Sequence, residues 1–139
     1  MIKISVGERK IISGSYQDYI LLFGESRTAY SDLYAKKSAA ENRLYIMFED
    51  NFPAGYICAS FDRHNFFVHY AYTALEKRNR GIFTSLLKYL IALDENYPVV
   101  VQSSTTDKKY SKTVIDVCGS LGFQKYSVCK TFRADWNSL

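Results

Sequence analysis

Ala71-Tyr72-Thr73-Ala74-Leu75-Glu76-Lys77-Arg78-Asn79-Arg80-Gly81-Ile82-Phe83 joins the end of an apolar strand to a charged loop and then to the start of a helix. Upstream, Phe66 to Ala74 is rich in β-branched and aromatic residues and reads as a strand. Downstream, Ile82, Phe83, Leu86, Leu87, Leu90 and Leu93 recur at helical spacing and make one broad apolar face that stops near Asn96. A helix N-terminus leaves about four N–H groups unpaired and carries roughly half a positive charge, so a loop with Arg78, Arg80 and Gly81 in front of it suits a pyrophosphate. The two guanidinium groups add charge-assisted hydrogen bonds.

Before this segment, Leu44 to Phe48 and Ala54 to Phe61 are strand-like runs joined by Glu49-Asp50-Asn51-Phe52-Pro53, and Asp62-Arg63-His64-Asn65 is a turn into the strand from Phe66. The middle of the chain is therefore an antiparallel meander of three strands. Nearer the N-terminus, Ile2 to Val6 alternates like a short strand. Gly14-Ser15 opens a helix with Tyr16, Tyr19, Ile20 and Phe23, closed by Gly24. A second helix follows Ser26 to Thr28, with Ala29, Leu33, Tyr34 and Lys37 on its inner side and a polar run to Asn42. Towards the C-terminus, Pro98 to Val101 has the pattern of a buried strand emerging into the polar Gln102 to Thr106. Asp107 can cap a helix carrying Tyr110, Val114, Cys118 and Leu121 on one face. Gly122 ends that helix, and Phe123 to Phe132 alternates as one last strand or a pair. The element order is β-α-α-β-β-β-α-β-α-β.

At 139 residues without a repeat, the chain is expected to form one α/β domain spanning residues 1–139. With 47% apolar and 23% charged residues it is neither disordered nor fibrous, and roughly 68% of the unfolded surface can be buried at this length without staples. The net charge of +4 suits an anionic ligand. Aromatic residues make up 16%, more than such a core needs, so some of them are expected to line a groove. Cys58, Cys118 and Cys129 lack C-x-x-C spacing, which excludes a zinc knuckle and a disulfide framework, and no metal site is expected. The N-terminus lacks the apolar run of a signal peptide and no segment approaches the ~18 residues of a membrane span, so the expectation is a cytoplasmic protein with reduced thiols.

The stretch Ala71 to Phe83, with Arg78 and Gly81 at matching positions, resembles the acetyl-CoA-binding motif Q/R-x-x-G-x-G/A of the GNAT N-acetyltransferase superfamily. Phe83 stands where Gly or Ala is usual. Leu121-Gly122-Phe123 resembles the family's second marker, a helix ending in G-F before the final strands, and the element order agrees along nearly the whole chain. The resemblance implies a mixed, mostly antiparallel central sheet flanked by helices, and an acetyl-CoA-dependent transferase acting on a primary amine. It implies that the fourth strand, Phe67 to Thr73, splays from the fifth, so that backbone groups near Ala71, Tyr72 and Thr73 pair with pantetheine as an added strand does. Arg78, Asn79, Arg80, Gly81, Ile82, Phe83 and Thr84 then hold the pyrophosphate. Ser111 takes the place of the family's common Asn and is assigned to the cofactor. Lys108, Lys109 and Lys112 either meet the nucleotide phosphate or form a solvated helix face.

Transfer to an amine needs a path for the amine proton and a proton for the leaving thiolate. The family often places a Tyr acid four residues before the G-F glycine, where this chain has Cys118. It often places a Glu base on the fourth strand, where this chain has Phe67. His69 shares a face with Phe67 by the strand's period of two, and its ordinary pKa near 6.5 suits a base. His69 and Cys118 are the candidate catalytic residues, each with a purely structural alternative, and Tyr70, Tyr72 and Tyr126 are further candidates for acid or substrate shelf. Nothing beside Cys118 marks an activated thiolate, so the expected reaction is direct attack in a ternary complex. The acceptor is expected along Tyr16 to Tyr34 and Phe123 to Phe132, in a groove open to a small-molecule, peptide or protein amine or completed by a second subunit. Two other readings compete: a CoA-binding module without catalysis, and a small RNA-binding domain. The second lacks an RRM-type aromatic motif, so no nucleic-acid partner is expected.

Overall fold

The computed structural model describes residues 7–62, 65–93, 99–102, 114, 116–122, 124–126 and 131–134. Among them run β1 (Arg9–Ser13), α1 (Tyr16–Phe23), α2 (Ala29–Ala40), β2 (Leu44–Glu49), β3 (Phe52–Asp62), β4 (Asn65–Thr73), α3 (Ile82–Leu93), β5 (Val99–Gln102), β6 (Gln124–Tyr126) and β7 (Thr131–Ala134). Residues 116–120 are helical and form α4. The strands make one sheet in the order β1-β2-β3-β4-β5-β7-β6. Every neighbouring pair is antiparallel except β4 and β5. No described helix is long and apolar enough to cross a membrane.

The expected strand Ile2–Val6 lies outside the described residues, and the first described strand is Arg9–Ser13, paired in register with β2 from Arg9↔Glu49 to Ser13↔Tyr45. The meander forms as its sequence dictates. Asp50 and Asn51 both take positive φ, 52° and 68°, the two-residue turn whose twist suits a hairpin and which Asn and Asp tolerate. The C-terminal segment forms a pair of strands, with β7 between β5 and β6.

Helices cover both faces. On one, α3 buries Ile82, Leu86, Leu87, Leu90 and Ile91 against Tyr45, Met47, Ile57, Ala59, Phe66 and Val68, while Leu93 at its end is exposed. Cys118 of α4 joins this core. On the other face α1 and α2 cover an aromatic core of Tyr19, Phe23 and Tyr56 with Leu44, Ile46 and Cys58. Both helices start at capping boxes, Ser15 with Asp18 and Thr28 with Ser31, each worth about 1 kcal/mol.

Of the expected Ala29, Leu33, Tyr34 and Lys37 on the inner side of α2, only Tyr34 packs against the core, half-buried. The helix buries Ser31, Ala35 and Ser38, whereas Leu33 is 62% exposed. The sheet face below is already filled by rings, so only small side chains let the helix approach. Ser31 also hydrogen-bonds the Tyr19 hydroxyl at 2.6 Å, which satisfies both buried groups.

Candidate active site

The site begins at an irregularity in β4. Cys58 faces Tyr70 and Ala59 faces Val68, so His69 is an extra residue, a bulge that resets the alternation. Before it, Phe66 and Val68 pack on the α3 side; after it, Tyr70 and Tyr72 pack on the α1 and α2 side. The parallel pairing of β4 with β5 runs only from Phe66↔Val99 to Val68↔Val101, and therefore stops at the bulge. From Tyr70 to Thr73, β4 is paired with β3 alone among the described residues.

Among the described residues that leaves an open strand edge, whose polarity follows from the ladder. The Ala74 N–H donates to the Ala54 carbonyl at 2.8 Å, so by the alternation of antiparallel bonding Tyr72 also directs its amide groups to β3. Ala71 and Thr73 direct theirs outward, to the side that β5 has left. The Arg78 Nε donates to the Thr73 carbonyl at 3.1 Å, which puts a guanidinium at this edge. Its carbon lies 5.8 Å from the centre of the Tyr72 ring.

The loop that follows turns through a short 3-10 segment, Leu75–Lys77, and two left-handed residues, Asn79 at φ 63° and Gly81 at φ 78°. Gly81 is required by this φ and not by crowding, because a Cβ there would meet its nearest neighbour only at 3.9 Å. The first α-helical bond of α3 runs from the Ser85 N–H to the Gly81 carbonyl at 3.0 Å, so the N–H groups of Ile82, Phe83 and Thr84 have no partner within the helix. The Ile82 side chain is buried and Phe83 and Thr84 are half-buried.

Beneath the loop is a cluster that the sequence reading missed. Glu49, with no exposed side-chain surface, lies 3.1 Å from Arg9 Nε, 3.3 Å from Lys77 Nζ and 2.7 Å from Arg80 Nη2. Burial alone would raise the pKa of this carboxyl, but Arg9, Lys77 and Arg80 outweigh it and hold the group below its usual range. The signal was present in β2: Tyr45, Met47 and Glu49 share a face by the period of two, and a carboxylate in line with core residues demands cationic partners. Arg80 keeps 45% of its side-chain surface exposed.

His69 lies on the α2 side, stacked on Tyr34 with ring centroids 5.1 Å apart and beside Phe67 at 6.2 Å, and its Nε2 hydrogen-bonds Ser60 Oγ. Burial lowers its pKa and the Lys37 charge lowers it further, against a smaller opposing effect of Glu41, so the ring is neutral at pH 7. Tyr30, exposed, stands edge-on to Tyr34 and to Tyr70 and extends the aromatic wall towards solvent. Cys118 is placed apart from this group, fully buried in the α3-side core, where burial pushes its thiol up to about 12. The structure thus brings together Ala71, Thr73, Arg78, Arg80 and Gly81, with His69 just before them on β4. Ser111, Lys108, Lys109, Lys112 and Phe123 lie outside the described residues.

No family model matches the sequence, and a search of curated proteins gives no match. Solved structures do match. A GNAT-family acetyltransferase from Bacillus cereus superposes with a TM-score of 0.70 at 19% identity, over 93% of this chain and 98% of that one. Naa50 of Arabidopsis thaliana, crystallised with the bisubstrate analogue CoA-Ac-MVNAL, gives 0.68 at 11% identity over 90% and 95%. The ribosomal-protein-S18-alanine N-acetyltransferase of Escherichia coli gives 0.64 at 14% identity over 91% of each chain.

Proposed function

We propose that this chain, which has the fold of the GNAT-family acetyltransferases, moves an acetyl group from acetyl-CoA to a primary amine by direct attack in a ternary complex. The observation that carries the reading is that, among the described residues, the pairing of β4 with β5 ends at the bulge, which leaves the outward amide groups of Ala71 and Thr73 next to a positively charged loop at the N-terminus of α3. Pantetheine, with its two amides, pairs with this edge as a strand does, through the outward peptide groups of Ala71 and Thr73 on either side of Tyr72. The pyrophosphate takes the N–H groups of Gly81, Ile82, Phe83 and Thr84, with Arg78, Asn79 and Arg80 around it.

The thioester then lies beside the bulge, within reach of His69. The amine nitrogen attacks the thioester carbonyl carbon, an N–C bond forms, and the C–S bond breaks with its electron pair going to sulfur. The proton lost by nitrogen passes to the neutral imidazole of His69, directly or through one water, and returns to solvent or to the departing thiolate. Cys118 has no exposed surface and a thiol that stays protonated, which supports a mechanism without an acetyl-cysteine. The acceptor approaches along Tyr30, Tyr34 and Tyr70, as the amine of a small molecule, peptide or protein.

Thermal unfolding with acetyl-CoA tests the first half: at 100 times its dissociation constant it stabilises the protein by about 2.7 kcal/mol, and ADP, lacking pantetheine, does less. Thiol release across an amine panel tests the second half. Binding without release for any amine would identify a CoA-binding module, and no thermal shift at millimolar acetyl-CoA would overturn the reading.

A further inference from the structure

We propose that Arg9 and Glu49 are positioning residues for the donor-binding loop, fixing the peptide planes of Arg80-Gly81-Ile82 so that their N–H groups face the pyrophosphate; this rests on the acetyl-CoA reading above. Arg9 reaches the loop from β1 with both terminal nitrogens of its guanidinium. Its Nη2 donates to the Arg80 carbonyl, and its Nη1 donates to the Gly81 carbonyl at 3.4 Å and to Ser85 Oγ at 2.8 Å. In a trans peptide the C=O of one residue and the N–H of the next point in opposite directions. Two carbonyls held towards Arg9 therefore turn the N–H groups of Gly81 and Ile82 away from it, to the open side of the loop.

Glu49 holds the tool that does this. Arg9 and Glu49 face each other across β1 and β2, and the Arg9 Nε bonds Glu49 Oε2 at 3.1 Å, which leaves both terminal nitrogens to the loop. The other oxygen, Oε1, takes Lys77 and Arg80 from the loop itself. Three cations around one carboxylate leave the cluster with a surplus of positive charge beside the ligand. A buried ion pair is weak evidence for stability in itself, and one that spans β1, β2, the loop and the first turn of α3 points to preorganisation of the donors. Neither residue needs to touch the ligand.

The test compares acetyl-CoA with acetyl-pantetheine, which carries the thioester and the amides but no pyrophosphate. Glu49→Gln raises the KM for acetyl-CoA about tenfold relative to that for acetyl-pantetheine, the loss expected for misaligned charge-assisted contacts. Arg9→Lys, which keeps the charge but not the fork, gives the same split, and carries the test if Glu49→Gln does not fold by circular dichroism. A merely structural role would change both donors equally, and that result, or no change with either, overturns the proposal. A parent chain that binds CoA but shows an unchanged ratio in both variants sinks only this inference; a parent that binds neither donor sinks the functional reading with it.

Discussion

His69 lies face to face with Tyr34, the two rings 5.1 Å apart and only 15° from parallel, so a residue of the β4 bulge is pinned by the helix α2 that covers this face of the sheet. The stacking fixes the imidazole plane, and the bulge fixes its height beside the open edge. Burial and Lys37 keep it neutral.

Replacing His69 by Ala is therefore expected to lower kcat about 10²- to 10⁴-fold near neutral pH, with a smaller loss at high pH where the amine deprotonates itself. In the parent, kcat/KM falls as pH drops through the lowered His69 pKa, below the ordinary 6.5. The same shift acts on folding. The unfolded chain binds the His69 proton more readily, so this group's contribution to stability is present above pH 6.5 and is lost as pH falls below it. Urea titrations at a series of pH values, with and without His69→Ala, check the sign.

Arg78 ties the Thr73 carbonyl to the loop at 3.1 Å and is assigned to the pyrophosphate. Arg78→Ala is expected to weaken CoA by roughly 1.5 to 3 kcal/mol, the range for hydrogen bonds to charged groups. Calorimetry with CoA and with pantetheine separates the charge from the strand edge.

Gly81→Ala places a Cβ in the left-handed region at φ 78°, which costs about 1 to 2 kcal/mol. The measurable outcomes are a lower melting temperature and a lower affinity for acetyl-CoA. An unchanged melting temperature would mean that the loop relaxes to another backbone path.

Cys118→Ser puts a hydroxyl into an apolar core and should destabilise by about 1 to 3 kcal/mol while the folded protein still transfers acetyl groups. In the native parent the thiol should resist alkylation, because it is buried and has a pKa of about 12. Mass spectrometry showing an acetyl group on Cys118 after mixing with acetyl-CoA alone would contradict direct transfer.

Ala35 sits with no exposed surface between α2 and the aromatic core. Ala35→Leu is expected to cost about 1 to 3 kcal/mol by overpacking, whereas Leu33→Ala, at an exposed site, should stay within about 0.5 kcal/mol. Urea midpoints of the two variants decide which face of α2 is inside.

Much of this was legible in the sequence where local chemistry is strong. Ser15 before Tyr16, the Asp50-Asn51 turn, the apolar face of α3 and the Arg78-Asn79-Arg80-Gly81 loop each carry a local signature that the tertiary structure keeps. The inner side of α2 was misread because its pattern ranks Leu33 above Ala35, while the decisive quantity is the space left by Tyr19 and Tyr56 on another element. Strand β1 was missed because Arg9-Lys10-Ile11-Ile12-Ser13 is short and half polar, and it is recruited by pairing with β2. That Arg9 is the partner of Glu49 was illegible for a related reason, although the burial of Glu49 itself was readable from β2. Forty positions separate the two, and their meeting depends on strand register that no local pattern records.

The open edge of β4 also bears on how this molecule can change over time. Peptide groups are the same whatever side chain stands at Ala71 or Thr73, so drift at these positions leaves the edge intact as long as the bulge and the strand persist. The burden of keeping the geometry falls instead on the bulge at His69, where the pairing with β5 ends among the described residues. Substitutions that straighten β4 would remove the edge without altering either residue whose peptide groups form it.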